Sequence, residues 1–266
     1  MVTSGYFGVN GYQNPITSSV YGANPIQSNI RTARNYNASG ADSFQYCPNS
    51  IQHYLKEDYI RNVLKTNPQL RYILEENDIP AEINMTNLCH IQSNHASDTQ
   101  AIAKGIIKHL PQSERYKIDT NAVNKASYLH DIGKVFIPDE ILNKPAKLDN
   151  NERRIMQAHS ELGYEILKNS PLDEKTKQLV RYHHQNPLGS GYPVTNTDFN
   201  ADLDLQILSA ADKYSALTEH RSYKTALPQD KALGVIYSDV QKNLIHPVVF
   251  RGLAAHLNDE MAKLNI

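Results

Sequence analysis

Seven side chains in this sequence are of the types that hold metal ions: His95, His130, Asp131, His159, His183, His184 and Asp212. The surrounding pattern puts them on the apolar faces of five predicted helices, where imidazoles and carboxylates break the rule that a folding sequence follows. Burying one without a partner costs roughly 2–7 kcal/mol. Singly, each has an ordinary explanation. A histidine on an apolar face is usually a hydrogen-bonded core residue, Asp131 can cap a helix, and Asp212 can pair with Lys213 or Arg221. Repeated over five helices, the violation points to a shared site, because one metal centre removes the cost for every donor together.

The donor types constrain that centre. Neighbours on a helix diverge by about 100°, so His130–Asp131 and His183–His184 can approach a metal from different angles. One carboxylate can bridge two ions. Imidazole and carboxylate without cysteine favour Mn or Fe, with Ni or Zn as alternatives, over Ca or Mg. Five histidines and two aspartates are too many for one ion with an open position, and suit two ions about 3.5–4 Å apart. The remaining histidines, at 53, 90, 109, 220, 246 and 256, have the surface or core reading, although His90 competes with His95 for the ligand position.

The elements that position these donors are all helical, so the predicted fold class is all-α. Ile51, Leu55, Tyr59, Ile60, Val63 and Leu64 mark one face of a first helix. Asn67 and Pro68 read as a cap and first position of a second, running to about Glu76 and ended by Pro80. A third spans Thr86 to about His109, with His95 in its apolar stripe. Asn121–Ile132 ends at Gly133. Asp149 or Asn150 caps a helix with Ile155, Met156, His159, Leu162, Ile166 and Leu167 inward. Asp173 caps a short one ending at His183–His184. Leu205–Glu219 carries Asp212, and Pro228 opens two last helices near 229–242 and 247–265. A short extended piece near Val135–Phe136–Ile137 is the one non-helical suggestion.

Composition narrows the class further. The chain has 266 residues, with Lys plus Arg at 27 and Asp plus Glu at 28, a net charge of −1. That balance argues against a long nucleic acid as partner, while a small phosphate substrate needs only a local cluster. Cys47 and Cys89 form no disulfide framework and no zinc motif. The start lacks a basic and an apolar segment, so no signal peptide is expected, and no run of about 18 apolar residues suggests a membrane span. The expected compartment is the cytoplasm. Residues 1–50 are rich in Asn, Ser, Gly and Tyr and carry only Arg31, Arg34 and Asp42 as charges. They read as a disordered tail. Residues 51–85 are read as N-terminal helices packing on a catalytic domain at 86–266.

These residues also carry a resemblance. His130-Asp131-Ile132-Gly133-Lys134 is followed by Ile137-Pro138-Asp139 and Ile141-Leu142-Asn143-Lys144-Pro145. His159-Ser160-Glu161-Leu162-Gly163-Tyr164 comes next, then His183-His184-Gln185 and Gly189-Ser190-Gly191-Tyr192-Pro193. Last is Ile207-Leu208-Ser209-Ala210-Ala211-Asp212, with Arg221, Tyr223 and Lys224 behind it. Over roughly 86–255 the chain resembles the HD-GYP branch of the HD-domain phosphohydrolases.

The resemblance implies a helical bundle with a di-metal or tri-metal centre that hydrolyses cyclic di-GMP to the linear dinucleotide or to GMP. It implies all seven donors as ligands, with Lys134 by the scissile phosphate, Arg221 and Lys224 on phosphate oxygens, and Gly191, Tyr192 and Pro193 shaping the substrate pocket. Asp131 and Lys134 are the catalytic expectations. Lys134, four residues after His130, falls on the same face if the helix continues past Gly133. Ile91 stands where a trimetallic member has Glu, which favours two ions. Gln185 and Leu188 replace the common Glu and Asp, and this leaves two alternatives in view. One is a phosphohydrolase of nucleotides or phosphomonoesters. The other is a metal-containing module that binds a cyclic dinucleotide without turnover. A homodimer is an open reading.

Overall fold

A computed structural model describes residues 49–91, 94–196, 199–219 and 225–263. Residues 1–48, which make up nearly all of the expected tail, and the segment holding Arg221 and Lys224 lie outside the described residues.

The described residues are helical throughout. In chain order the α-helices are α1 (Asn49–Gln52), α2 (Glu57–Thr66), α3 (Pro68–Glu76), α4 (Met85–Ile91), α5 (Asn94–Lys108), α6 (Gln112–Arg115), α7 (Thr120–Leu129), α8 (Asp139–Leu142), α9 (Asn150–Gln157), α10 (His159–Leu167), α11 (Glu174–Tyr182), α12 (Leu203–Thr218), α13 (Gln229–Gln241) and α14 (Pro247–Lys263). Short 3-10 segments occupy His53–Leu55 and Ile132–Phe136. The caps follow the sequence chemistry. Asn67 accepts from the backbone of Gln69 and Leu70, Asp149 and Glu152 form a reciprocal capping box, and Asp173 and Asp202 open α11 and α12.

Helix α5 lies at the centre, packed against α7, α12 and α14, and α7 in turn touches α11 and α12. Helix α10 packs on α11 and on the 3-10 segment Ile132–Phe136. Fully buried Ile106, Leu129, Ile132, Leu162, Ile166 and Ile207 fill the space between them, each contributing roughly 1.5–3 kcal/mol. Asn67 also joins the N-terminal helices to this bundle, its buried amide donating to the Glu165 carbonyl and carboxylate on α10.

Four sequence expectations change here. The first helix, expected to carry Ile51 through Leu64 on one face, is divided, with Lys56 extended between the 3-10 segment His53–Leu55 and α2. The helix expected over Asn121–Ile132 stops at Leu129. The Val135–Phe136–Ile137 segment is not a strand: its first two residues close the 3-10 segment, and Ile137 follows in extended conformation. Two of its carbonyls are already taken, since Asn87 on α4 donates to that of Ile137 and the Asn84 N–H to that of Val135. The helix expected to run from Asp149 through Leu167 is divided at Ala158 into α9 and α10. That division places His159 at a helix end rather than on a mid-helix face.

Candidate metal centre

Three of the donors share one local device. His130 and His183 are the residues just past α7 and α11, and His159 follows the break after α9. A helix leaves its last carbonyls without intrahelical partners. Each imidazole uses one: Nδ1 of His130, His159 and His183 lies 2.9, 2.7 and 2.7 Å from the carbonyls of Ser127, Met156 and Val180, always three residues back. Nδ1 therefore donates, and Nε2 presents a lone pair to the interior.

Those lone pairs converge. His159, His183 and His184 form one cluster, and His95, His130 and Asp212 another, with donor atoms in each within 4.8 Å of one another. Asp131 joins the two. Its Oδ2 lies 3.8 Å from His95 Nε2 and 3.5 Å from His130 Nε2, while Oδ1 lies 3.5 Å from His159 Nε2 and 3.9 Å from His183 Nε2. Asp212 Oδ1 sits 3.1 Å from His95 Nε2 and 3.5 Å from His130 Nε2. All seven donors thus come from α5, α12, the first residue of α10 and the residues just past α7 and α11. The side chain of His90 lies outside the described residues.

The interior is electrostatically incomplete without cations. His159 Nε2 and His183 Nε2 approach to 3.2 Å, lone pair toward lone pair once both Nδ1 atoms hold the protons. His130 Nε2 is fully buried with no hydrogen-bond partner; the 3.5 Å to Asp212 is an ion-pair distance only. Buried polar atoms of this kind are rare unless something else binds them. The residues fit divalent ions, and imidazole–carboxylate chemistry fits first-row ones.

The charges agree. Burial raises the carboxyls of Asp131 and Asp212, but their neighbours outweigh it and hold both well below the usual range: Lys134 and the surrounding imidazoles at Asp131, and hydrogen bonds from His130 and His95 at Asp212. Burial lowers His159 to about 3 and His184 to about 4, so both imidazoles are neutral at neutral pH. Burial also lowers His130, yet Asp131 and Asp212 outweigh it, and the net direction is upward. Two carboxylates there attract a cation, whether a proton on His130 or a metal.

These shifts predict acid lability. Unfolded histidine takes up its proton near pH 6.5, whereas folded His159 and His184 resist until about 3 and 4. The unfolded chain binds more protons in that window, so their contribution is full above pH 6.5 and is lost as pH falls toward 3. His130 has the opposite sign and offsets part of it. The melting temperature of metal-free protein should fall between pH 7 and 4; a flat profile would contradict buried neutral imidazoles.

Lys134 lies at this centre by a different route from the one its spacing suggested. With the helix stopped at Leu129, the following 3-10 segment stacks residues three apart, and Lys134 aligns with Asp131, Nζ to Oδ2 at 2.6 Å. Gly133 permits the segment to lie on α10, since a Cβ there would stand 2.0 Å from the His159 carbonyl oxygen. Gly191 does the same for the Gly-Tyr-Pro loop, where a Cβ would meet the His184 carbonyl at 2.0 Å. The Tyr192 ring then covers the His184 ring at 4.5 Å, and burial pushes its phenol upward in pKa. Gln185, buried to 3% exposure, accepts from the Gly191 N–H and donates to the Pro193 carbonyl at 2.7 Å. A glutamate there lacks that donor, so Gln185 is a loop clamp. Leu188 is 60% exposed.

Sequence reasoning missed Ser215 and Glu219. Ser215 Oγ lies 3.0 Å and Glu219 Oε2 3.6 Å from His95 Nδ1. The signal was present: both follow Asp212 at i+3 and i+7, one face of one helix. The neighbour considered for Asp212, Lys213, pairs with Asp239 instead.

The sequence profile of the HD domain matches residues 79–247. This chain belongs to the HD-domain family. Over 196 residues it is 32% identical to the 3'3'-cGAMP-specific phosphodiesterase 2 of Vibrio cholerae serotype O1, covering 70% of this chain and 37% of that protein. Over 122 residues it is 35% identical to the cyclic di-GMP phosphodiesterase response regulator RpfG of Xanthomonas campestris pv. campestris, covering 45% and 32%. The L. monocytogenes phosphodiesterase PgpH HD domain, solved in complex with cyclic-di-AMP, superposes with a TM-score of 0.45 at 19% identity, covering 62% of this chain and 89% of that one. The chain spans about a third of the length of the curated relatives it matches. HD domains are metal-dependent, and this one has two donor clusters for ions. Among its described residues, no helix is long and apolar enough to cross a membrane.

Proposed function

We propose that this HD domain is a two-metal phosphodiesterase that opens a cyclic dinucleotide, cyclic di-GMP in the first instance, to its linear form or to GMP. The observation that carries the reading is Asp131, whose two oxygens face two separate three-donor clusters. His95, His130 and Asp212 would hold one ion, His159, His183 and His184 the other, with Fe or Mn preferred by the donor set and Ni or Zn as alternatives. When bound, such ions supply Lewis acidity to phosphate oxygens and acidify water.

The protein's own groups do the rest. Lys134 holds its ammonium at the cluster edge, paired to Asp131 and 19% exposed, where it meets negative charge developing on the scissile phosphate. Asp131 fixes both clusters and orients Lys134. Tyr192 closes over His184 and limits water on that side. Arg221 and Lys224 are assigned to the outer phosphate oxygens, an Arg fork matching two oxygens together. Lys134→Gln should lower kcat by roughly 10²–10³-fold with metal content unchanged; a loss confined to KM would remove its role in the chemical step.

Incubating metal-loaded protein with cyclic di-GMP, 3'3'-cGAMP and cyclic di-AMP tests the assignment. Release of the linear dinucleotide is expected. No product with Mn or Fe present removes this substrate class, and turnover of phosphomonoesters alone replaces it with a nucleotide phosphohydrolase. Tight binding without hydrolysis would leave a signalling module.

A further inference from the structure

The geometry points to Ser215 and Glu219 as the pair that positions His95, giving one of the two ions a grip built from side chains that the other lacks. This rests on the two-ion reading above. His130, His159 and His183 are each oriented by a backbone carbonyl at a helix C-terminus. His95 has no such option, because it is the second residue of α5. A helix start offers unpaired N–H groups rather than carbonyls. Its Nδ1 is met instead by the Ser215 hydroxyl of α12 at 3.0 Å and by the carboxylate of Glu219, the residue just past α12, at 3.6 Å.

The consequence concerns the tautomer. His95 Nε2 faces Asp212 Oδ1 at 3.1 Å and Asp131 Oδ2 at 3.8 Å. For Nε2 to ligate, its proton must reside on Nδ1, and a proton there needs an acceptor. Ser215, buried at 3% exposure, supplies the oxygen. Glu219 at 3.6 Å makes no hydrogen bond but adds a negative charge behind the ring, which favours the N–H on that side. Asp212 lies on the same face of α12, so one helix delivers a ligand and the support for a second ligand to the same ion. In the other cluster, His159 and His183 rest on the backbone carbonyls of Met156 and Val180.

The test is manganese titration against a competing chelator, with metal analysis of the loaded protein, for the unaltered chain, Ser215→Ala, Glu219→Gln, the double variant and Ser215→Thr. The unaltered chain should bind two ions. The double variant should hold one of them about 10–100-fold more weakly and the other unchanged, and Ser215→Thr, which keeps the hydroxyl, should restore the loss seen in Ser215→Ala. Metal-free melting temperatures report that the variants fold. Wild-type affinity for both ions in the double variant overturns the positioning role and leaves the two-ion reading intact. Equal weakening of both ions also overturns it, since that marks general damage. Fewer than two ions on the unaltered chain removes the two-ion reading and this role with it.

Discussion

Asp131→Asn is expected to lose at least about 10³-fold in kcat/KM and to retain less than its full complement of metal. Removing a single preorganised electrostatic group from an active site costs roughly 10²–10³-fold, and Asp131 serves more than one purpose. It faces both donor clusters and pairs with Lys134. Asparagine keeps the size and one acceptor oxygen, but its amide nitrogen cannot ligate and its neutrality strips the charge from between the clusters. Lys134 is left beside His130 without its carboxylate, an uncompensated cation near the ions. Metal analysis and steady-state kinetics on the same preparation check this. A variant with two ions and near-normal turnover would mean that Asp131 bridges nothing.

Gly133→Ala should be, with Gly191→Ala, among the most damaging single-methyl changes at the described glycines. The added Cβ would stand 2.0 Å from the His159 carbonyl oxygen and 2.6 Å from the Gly163 nitrogen. Both are backbone atoms and cannot swing aside as a side chain would. Overpacking costs typically about 1–3 kcal/mol, and a backbone obstacle places this change at or above the top of that range. For a chain of this size about 3 kcal/mol lowers the melting temperature by roughly 6–12 °C. Metal affinity should fall as well, because relief of the clash moves the segment carrying Lys134 away from the His159 ligand. Gly234→Ala supplies the contrast. It lies in α13 with nothing within 4 Å of the added carbon, and gains about 0.5–1 kcal/mol from the lower entropy of the unfolded chain. Equal melting temperatures for the two variants would contradict the close approach at Gly133.

The sequence made the helices legible wherever cap chemistry and an apolar stripe coincided. Asn67, Asp149 and Asp173 cap the helices they were read to cap. The donors were legible because each broke the apolar pattern, and the structure brings all seven together. What escaped was the way they are held. Periodicity treats a helix as continuous, and so placed His130 and His159 within helices, while His183 was read at a helix end without its carbonyl anchor. The ends at Leu129, Gln157 and Tyr182 are set by tertiary contacts, among them the seat of Gly133 on the His159 carbonyl, which no local pattern encodes. The same limit hid the route by which Lys134 reaches Asp131. Ser215 and Glu219 were overlooked for another reason. A serine and a glutamate near the end of a helix are ordinary residues, and only the ring across from them on α5 gives them a purpose.

The three imidazoles hitched to peptide oxygens have a consequence for how this centre tolerates change. Their anchors are main-chain atoms, so exchanging Ser127, Met156 or Val180 for another residue leaves the oxygen where it was. Point substitution cannot cut these tethers. An inserted or deleted residue within those three-residue intervals would, by swinging the ring off its carbonyl. These buried imidazoles are therefore guarded against side-chain drift and exposed to shifts of register, whereas His95, facing two side chains, has the reverse vulnerability.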